Sequence, residues 1–64
     1  MNYRILVFQK SGRTVALDYD TLNERDIALA SFVDADVAVH VQDAYSEYVL
    51  YIDDIAFVKT AEVE

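Results

Sequence analysis

Residues 3–19 read YRILVFQKSGRTVALDY, and this stretch decides the fold class. Residues 3–9 are rich in β-branched and aromatic types and predict a strand. Apolar side chains fall on both of its faces. That suits a central strand, or one with a helix on one face and a partner on the other. Lys10-Ser11-Gly12-Arg13 follows and holds the chain's single glycine. Glycine reaches positive φ without a Cβ clash, so a turn is expected there. Residues 14–19 then alternate, with Val15, Leu17 and Tyr19 on one face and Thr14, Ala16 and Asp18 on the other. Residues 3–19 therefore predict a hairpin.

Working outward, Thr21 with Glu24 three residues later is a capping-box pattern. Glu24 and Asp26 suit the positive end of a helix dipole. Leu22, Leu29, Phe32 and Val33 fall near one helical face, with Ile27 and Ala28 close by, so a helix is expected at about 22–33. No glycine marks its end. Next, Val37, Val39 and Val41 alternate with Ala38, His40 and Gln42, predicting a strand over 37–42. Asp43-Ala44-Tyr45-Ser46 reads as a turn. Residues 47–52 place Tyr48, Leu50 and Ile52 opposite Val49 and Tyr51. Tyr45, Tyr48, Val49 and Ile52 also fit a helical repeat, but β-branched and aromatic content favours a strand. Asp53-Asp54 breaks the run, 55–61 alternates again, and Glu62-Val63-Glu64 is expected to fray.

The order is ββαβββ, an α+β class in one domain spanning 1–64. Two packings fit it. One is a small antiparallel sheet of four or five strands with the helix on one face. The alternative is a small, partly open β-barrel with Asp53-Asp54 at a tight corner. In both, open strand edges favour pairing with another chain.

Composition narrows the function. The chain has 64 residues, 12 acidic and 5 basic, for a net charge of −7, and lacks Cys and Pro. A chain this short buries only about 60% of its unfolded surface, so a lone monomer is marginal. Disulfides are impossible, which leaves oligomerisation or docking as the natural support. The absence of Cys suits a reducing cytoplasm. The apolar run Ile5–Phe8 is too short for a signal peptide, and no stretch is long enough for a membrane helix. The acidic balance disfavours direct binding to nucleic acid or to an anionic membrane. Smallness, acidity and the lack of Cys and Pro together resemble the composition of small bacterial and phage-encoded accessory proteins.

Catalysis is disfavoured. Ser11, Ser31 and Ser46 lie in no nucleophile motif, and His40 is the one conventional base. One glycine cannot build a phosphate-binding loop. The pairs Asp18/Asp20, Asp34/Asp36 and Asp53-Asp54 do not extend to an EF-hand, and Asp at turns ordinarily bonds local backbone. No metal or cofactor is expected.

What remains is an interaction surface. Tyr45, Tyr48 and Tyr51 fall within seven residues, beside Asp43, Glu47, Asp53 and Asp54. Tyrosine offers a large contact area with a polar tip. The site expected is Tyr45, Glu47, Tyr48, Tyr51, Asp53 and Asp54. In a strand, Tyr48 and Tyr51 point to opposite faces, so one of them belongs to the core. The function expected is a non-enzymatic inhibitor or adaptor that self-associates and binds a larger intracellular protein through a basic surface. Two alternatives stand beside it. One is an oligomer binding a nucleotide-like molecule, with Arg4, Arg13, Arg25 or Lys59 on phosphate. The other is a DNA mimic whose carboxylates (Asp18, Asp20, Asp34, Asp36, Asp43, Glu47, Asp53 and Asp54) imitate a phosphate row. A purely structural subunit is a further possibility.

Overall fold

A computed structural model describes residues 2–63. It contains β1 (Asn2–Gln9), β2 (Thr14–Tyr19), α1 (Leu22–Asp34), β3 (Ala38–Gln42), β4 (Glu47–Tyr51), a 3-10 turn (Ile52–Asp54) and β5 (Ile55–Val63). The class is α+β, in the order expected. The preferred packing, a small antiparallel sheet with one helix, is the one observed, but the strands divide between two sheets instead of sharing one. There are two antiparallel sheets, β2-β1-β5 and β3-β4, and they do not close into a barrel. Alternation fixes which face a residue occupies but not which strands are neighbours. The 3-10 turn delivers β4 and β5 to different sheets. Ile52, expected at the end of a strand, begins that turn, and its N–H donates to the Val37 carbonyl at 2.9 Å.

β1 is the central strand. It pairs with β2 from Tyr3↔Tyr19 to Phe8↔Thr14, and with β5 from Asn2↔Val63 to Gln9↔Ile55. A bulge interrupts the second ladder between Phe8 and Gln9. Glu62 and Val63, expected to fray, are therefore paired with Tyr3 and Asn2; Glu64 lies outside the described residues. Paired residues share a face, so Ile5, Val7, Val15, Leu17 and Tyr19 line the inner side. Val39, Val41 and Leu50 of the second sheet join them in one core. Ile5, Val7 and Leu17 have no solvent exposure. Each such side chain contributes about 1.5–3 kcal/mol by burial.

α1 begins at Thr21, whose Oγ1 accepts the Glu24 N–H at 3.2 Å, as the capping pattern predicts. It packs on the core through Ala28, Leu29 and Phe32. This stripe is narrower than expected. Arg25 falls one turn earlier on the same stripe, and its side chain is mostly buried. Leu22 and Val33 lie off its edge and Ile27 lies on the other side, so all three are exposed, Val33 at 81%. Val37 is also displaced from the expected face: it precedes β3 and is 73% exposed. Among the described residues no helix is long and apolar enough to cross a membrane.

Candidate functional site

The expected site lies on the β3–β4 hairpin, whose turn is built by one side chain. Asp43 Oδ1 accepts the N–H groups of Tyr45 and Ser46, both at 2.8 Å. The Asp43 N–H donates to the Ser46 carbonyl at 2.9 Å. An Asp that bonds backbone two residues on replaces the glycine this turn lacks. Asp43 Oδ2 also accepts the Asp18 N–H at 3.0 Å, and the Tyr19 hydroxyl donates to the Gln42 carbonyl at 3.0 Å. These two bonds tie the hairpin to the end of β2. Burial alone would raise the Asp43 pKa, but the N–H groups of Asp18, Tyr45 and Ser46 outweigh it and hold the carboxyl below its ordinary 3.8. The Tyr19 hydroxyl is pushed up by burial, then by the charges of Asp43 and Glu24.

The register pairs Ala38 with Tyr51, His40 with Val49 and Gln42 with Glu47. These six residues form the outer face, where His40 Nε2 contacts Glu47 Oε1. Val49 is exposed, and Tyr51 is 62% exposed. Of the six expected residues, the structure brings Glu47 and Tyr51 onto this one face. Tyr48 lies on the opposite face, half-buried against the core. It is the core tyrosine of the pair. Tyr45 sits in the turn at 82% exposure. Asp53 is exposed in the 3-10 turn, while Asp54 is half-buried and its carbonyl accepts the Lys10 N–H at 2.7 Å. The expected six therefore do not form one patch. Val49, His40, Ala38 and Gln42 complete the outer face and were missed. The alternation of Glu47, Val49 and Tyr51 carried that signal.

A second exposed face lies outside the expected site, although the apolar residues on both faces of 3–9 hint at it. On the outer side of the three-stranded sheet, Phe8 and Phe57 stack with ring centroids 4.5 Å apart and planes 18° apart. Leu6, Ala16 and Ala61 share this side by register. Arg4 forms a fork on Asp18, Nε to Oδ1 at 2.7 Å and Nη2 to Oδ2 at 3.2 Å. This bond raises the Arg4 pKa. Phe8 and Phe57 are 49 positions apart in sequence (57 − 8), so no local pattern joins them.

A cleft of about 460 Å³ lies between α1 and the ends of β2 and β3. Asp18, Asp20, Glu24 and Asp43 give it an acidic wall, while Tyr19 and Val41 are apolar parts of its lining. Asp18 and Asp43 already spend their carboxylates on Arg4 and on backbone N–H groups. Ser31 and His40 both line the cleft; Ser31 Oγ donates to the Ile27 carbonyl at 3.3 Å, and His40 Nε2 contacts Glu47. Among the described residues no three His or carboxylate side chains converge as metal ligands. Comparisons of the chain with family models, curated proteins and solved structures give no match.

Proposed function

We propose that this chain is a non-enzymatic, acidic interaction module that self-associates and inhibits or adapts a larger protein with a basic surface. The observation that carries the reading is the outer face of the β3–β4 hairpin. It sets exposed Val49 and Tyr51 beside Glu47, with Asp53 two residues further along the chain. An aromatic anchor with an acidic border suits a basic partner: apolar contact supplies affinity and the border speeds encounter. Reversing Asp53 and Asp54 to Lys slows association. The proposal places the protein in the cytoplasm, where a chain without cysteine needs no oxidising environment. A nucleotide-binding oligomer is less well supported. The cleft beside α1 has an acidic wall that repels phosphate, and Arg4 and Arg25 are already paired with Asp18 and Asp26.

The test is affinity capture from nuclease-treated lysate, read by mass spectrometry, with wild type and a Val49→Ala/Tyr51→Ala variant. Both side chains are exposed, so the double variant costs at most about 1 kcal/mol in stability. Circular dichroism checks that it is folded. A stoichiometric partner bound by wild type and lost by the folded variant is expected. Equal capture by both overturns the assignment of the hairpin face, and recovery of the chain alone overturns the partner reading.

A further inference from the structure

The outer edge of β5 carries few of the features that keep a strand edge from pairing. β5 runs nine residues, Ile55–Val63, and among the described residues it has β1 on one side and no strand on the other. A strand edge exposes a row of unpaired N–H and C=O groups, and proteins usually blunt it with Pro, bulges or repeated charge. β5 has no Pro, its bulge lies at the Ile55 end, and Lys59 and Glu62 are its only charges. The opposite edge of the sheet is not free in the same way. There the Asp18 N–H of β2 is taken by Asp43 and the β3–β4 turn lies against the strand. The edges of β3 and β4 are only five residues long.

We infer that β5 pairs antiparallel with β5 of a second copy, with Thr60 on the twofold axis. The inference rests on the reading that the chain self-associates, and it names the surface and the register. Charge selects the register. Centring the pairing on Lys59 uses the whole strand but sets Lys59 directly against its own copy, which destabilises the pair. Centring on Thr60 sets Lys59 opposite Ala61 and Phe57 opposite Val63. Lys59, Ala61, Phe57 and Val63 occupy the outer face together, so like faces stay together across the axis. Residues 57–63 then form the ladder. Phe57, 56% exposed in the single chain, gains an apolar neighbour. The three strands of each copy become a continuous sheet of six, in the order β2-β1-β5 and then β5-β1-β2 of the second copy. Both Phe8–Phe57 stacks lie on the same side of it.

The chain has no native cysteine, which makes the register directly readable. Opposed antiparallel residues have Cα atoms about 4.5–5.5 Å apart, inside the range a disulfide spans. Residues on the diagonal are about 7–8 Å apart, beyond it. Thr60→Cys therefore oxidises to a covalent dimer and Lys59→Cys does not. In sedimentation of the full chain, wild type is a dimer. Ala61→Lys, which faces Lys59 of the second copy twice over, raises the dimer Kd about tenfold. Circular dichroism confirms that each variant folds. A dimer that Ala61→Lys leaves intact and Thr60→Cys does not bridge overturns the β5 edge, while self-association stands. Bridging by Lys59→Cys in place of Thr60→Cys overturns the register. A wild-type monomer at every concentration overturns both this inference and the self-association on which it rests.

Discussion

The two hairpins are made of similar alternating sequence and are held in different ways. β1–β2 turns on Gly12, at φ 96°, and closes through the Gln9 N–H to the Arg13 carbonyl at 2.8 Å. Its inner residues include all three fully buried side chains, and β1 is paired along both edges. β3–β4 has no glycine, pairs only with itself, and depends on the Asp43 carboxylate for its turn and for its bond to β2. The first hairpin is therefore fixed by backbone and core. The second also reaches the core through Val39, Val41 and Leu50, but its turn rests on one side chain at its tip, so that end can be loosened with less disturbance to the first.

The largest expected effect sits in the first hairpin. Leu17→Ala empties a site with no solvent exposure and costs about 2–5 kcal/mol in urea unfolding. A cost below about 1 kcal/mol would mean that the three-stranded sheet is not the stable half, and the contrast would fail. Asp43→Ala comes next. It leaves three backbone N–H groups without their acceptor and costs about 1–3 kcal/mol. Hydrogen exchange sharpens the comparison, because the variant opens β3 and β4 amides while those of β1 keep their protection. The pH dependence has a defined sign. The Asp43 pKa is lower folded than unfolded, so its stabilisation is fully present above the unfolded value near 3.8. It is lost as pH falls through the lower folded value, and Asp43→Asn removes this part of the acid profile. Gly12→Ala has the smallest effect, about 1 kcal/mol, from backbone strain at positive φ. A Cβ there meets no atom within 4 Å, so no steric cost adds to it.

This contrast also marks what the sequence could show. β2 is legible residue for residue because one face is fully buried and the other is not, so period two appears without noise. The Thr21 cap is legible because its chemistry is local. The face of α1 is only partly legible. Leu22 and Val33 have the right chemistry, but three packing residues and the Arg25 stem already fill the stripe. Splitting five strands into two sheets depends on contacts between residues far apart in sequence, to which alternation is blind. The same holds for the candidate site. Separating Tyr48 from Tyr51 follows from strand parity. The Phe8–Phe57 stack and the reach of Asp43 to the Asp18 backbone need the folded chain.

The central place of β1 has a kinetic consequence. One of its ladders closes locally, through the turn at Gly12, while the other joins Asn2 to Val63 across nearly the whole chain. Loop-closure entropy makes the second ladder the slower to form, and contacts of this span set the pace of folding. Of the five strands β1 is made first and β5 last, so the second edge of β1 stays uncovered until residues 55–63 follow. Residues 55–63 complete the pairing of the strand made first.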